Sequence, residues 1–109
     1  ILSVLEEARF EEGVVTVRAS LPVTPKLTTE TATGLVIVDF PGASVGELPR
    51  QPGFRSDAIT GSRTGQVDEN TARIVLETKQ PDRFQWVADP AGTRIAVGIG
   101  VTDRLRVPP

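Results

Sequence analysis

The chain contains no cysteine, histidine, methionine or tyrosine. Without cysteine it has no disulfide and no thiolate metal site, and without histidine it lacks the commonest general base and the commonest metal ligand at once. Aromatic residues make up only 5% of the sequence, with one tryptophan, so a surface for stacking a ring-shaped ligand has few candidates. No apolar run approaches the ~18 residues of a membrane-spanning helix, and no charged-then-apolar leader precedes Ile1. Twelve basic and fourteen acidic residues leave a net charge of −2, which removes the basic stripe expected of a nucleic-acid binder. At 109 residues the chain is expected to be one domain over residues 1–109, with room for one core and none for a separate catalytic layer. Starting at Ile1 and ending in Val107-Pro108-Pro109, it reads as a soluble mature or excised segment, its leader and partner domains lying elsewhere.

What is present is a repeat. A constant shift of 59 positions lays Val15 on Ile74, Val17 on Leu76, Pro22 on Pro81, Leu27 on Trp86, Val36 on Ile95, Val38 on Val97 and Phe40 on Ile99. Inside each copy the apolar spacing is two, the side-chain period of a strand. The pattern predicts an internal duplication, with copies at about 2–40 and 58–101 joined by a Pro/Gly-rich bridge over 41–57. Two like halves built of strands suggest two related antiparallel or mixed sheets burying their apolar faces on each other, an all-β sandwich. No catalytic constellation recurs in both copies, so the reading is a binding module and not an enzyme.

Strands are expected at Leu2 to Phe10, at Val14 to Leu21 with Val15, Val17, Ala19 and Leu21 inward, and at Lys26 to Thr31. Gly34 to Phe40 is the most apolar, and its near-continuous hydrophobicity suggests cover on both faces. The bridge follows, with a helical turn around Ser44 to Leu48. The second copy is expected to run Ala58 to Val67, Thr71 to Lys79, Arg83 to Ala88 and Thr93 to Val101, with turns at Asp68-Glu69-Asn70, Gln80-Pro81-Asp82 and Asp89-Pro90-Ala91-Gly92.

Two motifs in this order resemble a known family. Gly34-Leu35-Val36-Ile37-Val38-Asp39-Phe40 is followed by Pro41-Gly42-Ala43, and Ile59-Thr60-Gly61-Ser62-Arg63-Thr64-Gly65-Gln66 is followed by Thr71-Ala72-Arg73-Ile74-Val75-Leu76-Glu77. Both are similar to segments of the AMIN domain, the non-catalytic module N-terminal to some N-acetylmuramoyl-L-alanine amidases and in the periplasmic part of type IV pilus secretins. The resemblance runs from about Leu2 to Val101 and departs at Glu77, where the family more often has aspartate. It implies a β-sandwich in the bacterial cell envelope or periplasm that binds peptidoglycan and places an attached enzyme or secretin, with no catalytic residue to carry over.

Arginine concentrates in the second half, at Arg55, Arg63, Arg73, Arg83, Arg94, Arg104 and Arg106. Of these, Arg63 and Arg73 fall with Gln66 in the family motif, and guanidinium forks beside an amide suit a ligand bearing carboxylates and acetamido groups. Gln66 and Arg73 are expected to face away from the core, whereas Arg63 shares parity with Ile59. Phe54, alone in the bridge with no counterpart in the repeat, is the expected sugar-stacking aromatic, while Trp86 and Phe84 have core spacing. The acidic pairs Glu6-Glu7, Glu11-Glu12 and Asp68-Glu69 are adjacent in sequence and read as solvated turns, not as the acid and base of a glycosidase. No metal site and no cofactor is expected. The alternative to a peptidoglycan-targeting module is a protein-interaction domain of an envelope assembly, recruiting an envelope protein by strand addition at the Lys26–Thr31 edge.

Overall fold

The computed structural model describes residues 1–101; Arg104 and Arg106, counted above in the arginine excess, lie outside them. Nine strands run in chain order: β1 Ser3–Glu11, β2 Val14–Ala19, β3 Lys26–Glu30, β4 Leu35–Pro41, β5 Ala43–Ser44, β6 Ile59–Asp68, β7 Thr71–Thr78, β8 Phe84–Ala88 and β9 Arg94–Ile99. They form a five-stranded sheet in the order β5-β1-β2-β9-β8 and a four-stranded sheet in the order β3-β4-β7-β6. The fold is an all-β sandwich. Only β1 and β5 pair in parallel; every other ladder between described strands is antiparallel.

The 59-residue shift relates the pairings as well as the side chains. Val15 pairs with Val97 across β2 and β9, and the shifted positions, Ile74 and Val38, pair across β7 and β4. Likewise Leu27 pairs with Val38 and Trp86 with Val97. Each sheet thus takes one hairpin from the first half and one from the second. The opening strand departs from this register: Leu5 pairs with Ala19 and Ile59 with Thr78, so that Leu5 and Ile59 are 54 positions apart, because β7 begins two residues earlier in its copy than β2 does and β6 has one more irregularity than β1.

Between the sheets lie Val15, Val17, Val36, Val38, Phe40, Ile74, Leu76, Ile95 and Val97, with Leu27, Trp86 and Ile99 packed against them at lower burial. On β7 every second residue from Ala72 to Thr78 is buried, as the period of two requires. Three expectations are corrected. β2 stops at Ala19, and Leu21 lies beyond the ladder at 42% exposure. β4 alternates buried and half-buried residues, so only one of its faces is fully covered. Ser44 to Leu48 forms no helix: Ala43 and Ser44 pair with Ser3 and Val4, and a turn closed by Leu48 N–H to the Val45 carbonyl follows.

The bridge caps one end of the sandwich. Its first part is the short strand beside β1. Its later part lies along β6, where Thr64 N–H donates to the Arg50 carbonyl at 2.9 Å and Ser56 N–H to the Ile59 carbonyl at 2.9 Å. Among the described residues the opposite edges, β3 and β8, have no further strand beside them.

Candidate functional site

The outward face of the four-stranded sheet is read directly from its register. One row across the strands is Lys26, Asp39, Arg73 and Gly65; the next is Thr28, Ile37, Val75 and Arg63; the third is Glu30, Leu35, Glu77 and Gly61. Cross-strand neighbours on one face stand about 5 Å apart, so Arg63 and Arg73 occupy adjacent rows of one surface. Leu35, Ile37 and Val75 are half-buried there, which gives the face an aliphatic middle between its charges.

Arg73 and Asp39 are directly opposite residues of β7 and β4. Arg73 Nε donates to Asp39 Oδ1 at 2.7 Å and Nη2 to Oδ2 at 3.1 Å, a bidentate fork that fixes the guanidinium plane. The hydrogen bond it donates to Asp39 holds the Arg73 pKa above its ordinary value; burial pulls the other way, and the charges of Asp39 and Glu30 add to the rise. The remaining Nη1 makes no bond to another described residue. Arg63 has neither ion pair nor hydrogen bond among the described residues.

Between the two arginines Gly65 leaves the β6 backbone bare: a methyl group built there would meet nothing within 4 Å. A shallow groove of about 250 Å³ follows, lined by Arg63, Thr64, Gly65, Gln66, Val67, Arg73 and Val75. Flat β surface, a bare peptide strip and two guanidinium groups offer donors to carboxylate and amide oxygens, with an aliphatic floor for the methyl of an acetamido group.

Of the expected site residues the structure brings Arg63 and Arg73 together and sets Phe54 apart, while Gln66 lines the same groove with its side-chain amide turned to the bridge. Gln66 pairs with the buried Ala72, on the side away from Arg63 and Arg73. Its Oε1 accepts from Val45 N–H at 2.8 Å and its Nε2 donates to the Ala43 carbonyl at 3.1 Å, tying the bridge to β6. Parity is broken along β6, which is irregular between Ile59 and Gly61 and again between Gln66 and Asp68. An extra residue in a strand reverses the facing of all that follow. That is how Ile59 points inward and Arg63 outward despite even spacing. Phe54 is 7% exposed and stacks on Phe10, centroids 5.4 Å apart and planes at 26°. Its ring faces are covered, contrary to the expectation of an exposed aromatic.

Sequence reasoning missed Asp39 and Gly65 as parts of this face. The signal for the first was there, since Asp39 and Arg73 stand one in each family motif, and the two motifs meet at their fork.

The outward face of the five-stranded sheet is different. Glu7 lies 3.2 Å from Arg9 and 3.4 Å from Arg18, which also reaches Glu6 at 3.4 Å. Glu6 and Glu7 therefore sit in a strand, not in the turn expected of them. Beyond β9 the chain folds back so that Val101 packs on Val14 and Ala96, covering part of this face.

No curated protein matches the chain significantly. The family model described as AMIN domain matches residues 7–99. AMIN domains are non-catalytic modules of periplasmic proteins, known for binding peptidoglycan and targeting what they are attached to. By sequence match over most of its length, and by a sandwich in which the two family motifs converge on one ion pair, the chain belongs to the AMIN domain family.

Proposed function

We propose that this chain binds peptidoglycan through the outward face of the four-stranded sheet and so localises an attached periplasmic amidase or a secretin in the cell envelope, without metal or cofactor. The observation that carries the reading is the placement of Arg63 and Arg73 in adjacent rows over the bare backbone at Gly65. Stem peptides present carboxylates and glycan chains present acetamido groups, both acceptors for guanidinium donors. One arginine is oriented by Asp39 and the other is unspent, so the face combines a fixed donor with an adaptable one. The opposite sheet has its arginines largely engaged by its own carboxylates.

Co-sedimentation with purified insoluble sacculi tests this, against an unrelated acidic domain of the same size. The module pellets at low salt, releases as ionic strength rises because exposed charges are screened beyond about 10 Å at 0.1 M salt, and is indifferent to EDTA. A module that stays wholly in the supernatant at low salt overturns the reading and favours a protein-interaction domain; retention abolished by EDTA contradicts the absence of metal.

A further inference from the structure

The β3 edge carries two charges of opposite sign on one face, neither of them in a salt bridge among the described residues. Lys26 begins the strand and Glu30 ends it, both exposed, with Thr28 midway between them. Lys26 lies opposite Asp39, but both carboxylate oxygens of Asp39 are taken by Arg73. Among the described residues Lys26 has no ion pair, and Glu30 only accepts from the Thr33 hydroxyl at 3.0 Å. Among the described residues no strand lies beyond β3, though the short 3-10 turn Pro81–Arg83 approaches it, so about half of its backbone groups face away from β4.

We infer that this edge pairs with the β3 edge of a second copy, antiparallel about Thr28, to form a two-fold symmetric dimer. A two-fold axis through Thr28 sets Lys26 of each copy opposite Glu30 of the other, so a single strand satisfies its own charges twice. The β8 edge lacks this self-complementarity. At the matching positions 59 residues on, the β8 edge has Gln85, Val87 and Asp89, and Asp89 is already committed to the Thr93 and Arg94 amides. The two four-stranded sheets become one of eight strands, with both Arg63–Arg73 faces on the same side. The dimer is independent of what that face binds.

Sedimentation equilibrium over a range of protein concentrations tests it. The parent chain shows a reversible monomer–dimer equilibrium. Lys26→Glu weakens dimerisation by about tenfold or more, since two favourable cross-strand pairs become two repulsive ones, and Glu30→Lys does the same. The double variant Lys26→Glu with Glu30→Lys dimerises as the parent does, and an equimolar mixture of the two single variants forms a heterodimer. All three variants are surface changes and keep the parent's circular dichroism. A parent chain monomeric at every concentration overturns the proposal, as does a dimer that both single variants leave at full strength.

Discussion

Arg73 and Asp39 face each other across the β4–β7 ladder in a two-pronged contact, Nε to Oδ1 at 2.7 Å and Nη2 to Oδ2 at 3.1 Å. The side chains are 38% and 19% exposed, so water screens the pair in part. Replacing Asp39 by alanine is expected to lower stability by about 1 kcal/mol or less, the range of a cross-strand ion pair discounted for exposure, as read from urea unfolding. The raised pKa of Arg73 fixes the sign of any pH effect. A group whose folded pKa is raised contributes fully below its unfolded value and loses that contribution only as pH rises through the folded one. For a guanidinium that lies above any pH at which the fold is measured, so this contribution stays constant on the alkaline side. A fall in stability between pH 8 and 10 that vanishes in the Asp39→Ala variant contradicts this.

Val38 and Val97 occupy matching places in the two halves and are almost wholly buried, on strands flanked on both sides. Aspartate at either position places an unpaired charge in the core, a cost of the same order as the ~5–15 kcal/mol net stability of such a domain. Neither Val38→Asp nor Val97→Asp should give a cooperative melt. A melt unchanged in either variant means the inward face has been misassigned.

Two strand glycines predict opposite outcomes. At Gly65 a side chain enters open space, whereas at Gly98 a Cβ would lie 3.0 Å from Val101 and 3.1 Å from the Gly13 carbonyl. Gly65→Val should match the parent's stability or exceed it by up to about 1 kcal/mol, because valine suits a strand and glycine does not. The same change should obstruct the Arg63–Arg73 face and weaken retention on sacculi. Gly98→Val should destabilise by roughly 1–3 kcal/mol through overpacking. Thermal melts separate the two, and a Gly65→Val variant that binds as well as the parent removes Gly65 from the ligand surface.

Gln66 and Arg63, grouped together by motif, should separate by stability. Gln66→Ala leaves the Val45 amide and the Ala43 carbonyl without their side-chain partner and should cost about 1 kcal/mol, roughly 4 °C or more in melting temperature for a domain of this size. Arg63→Ala removes an exposed side chain with no partner among the described residues and should stay within about ±0.5 kcal/mol. Equal melting temperatures for the two variants contradict the tie between Gln66 and the bridge.

The strands were legible because a half-buried strand writes its facing into the sequence every second residue. The 59-residue shift could be read because β2 to β4 and β7 to β9 share one register. Facing was lost where the backbone breaks that period. The irregularity of β6 between Ile59 and Gly61 turns the Gln66 side chain inward and Arg63 outward; Gly61 is a bulge signal there, but a glycine alone does not say whether the register shifts. Phe54 was misread for a different reason: it lies in a bridge with no periodicity, and its burial comes from Phe10 on a distant strand. The uniformly apolar β4 looked doubly covered because Leu35 and Ile37 are large, yet their side of the sheet is the half-open face that carries the arginines.

The most direct measurement is sacculus pelleting of three proteins at one low ionic strength: the parent, Arg63→Ala with Arg73→Ala, and Arg9→Ala with Arg18→Ala on the opposite sheet. If the outward face of the four-stranded sheet is the ligand surface, the first double variant remains in the supernatant while the second pellets with the parent. Retention unchanged in the Arg63 and Arg73 variant, or lost in the Arg9 and Arg18 variant alone, contradicts it.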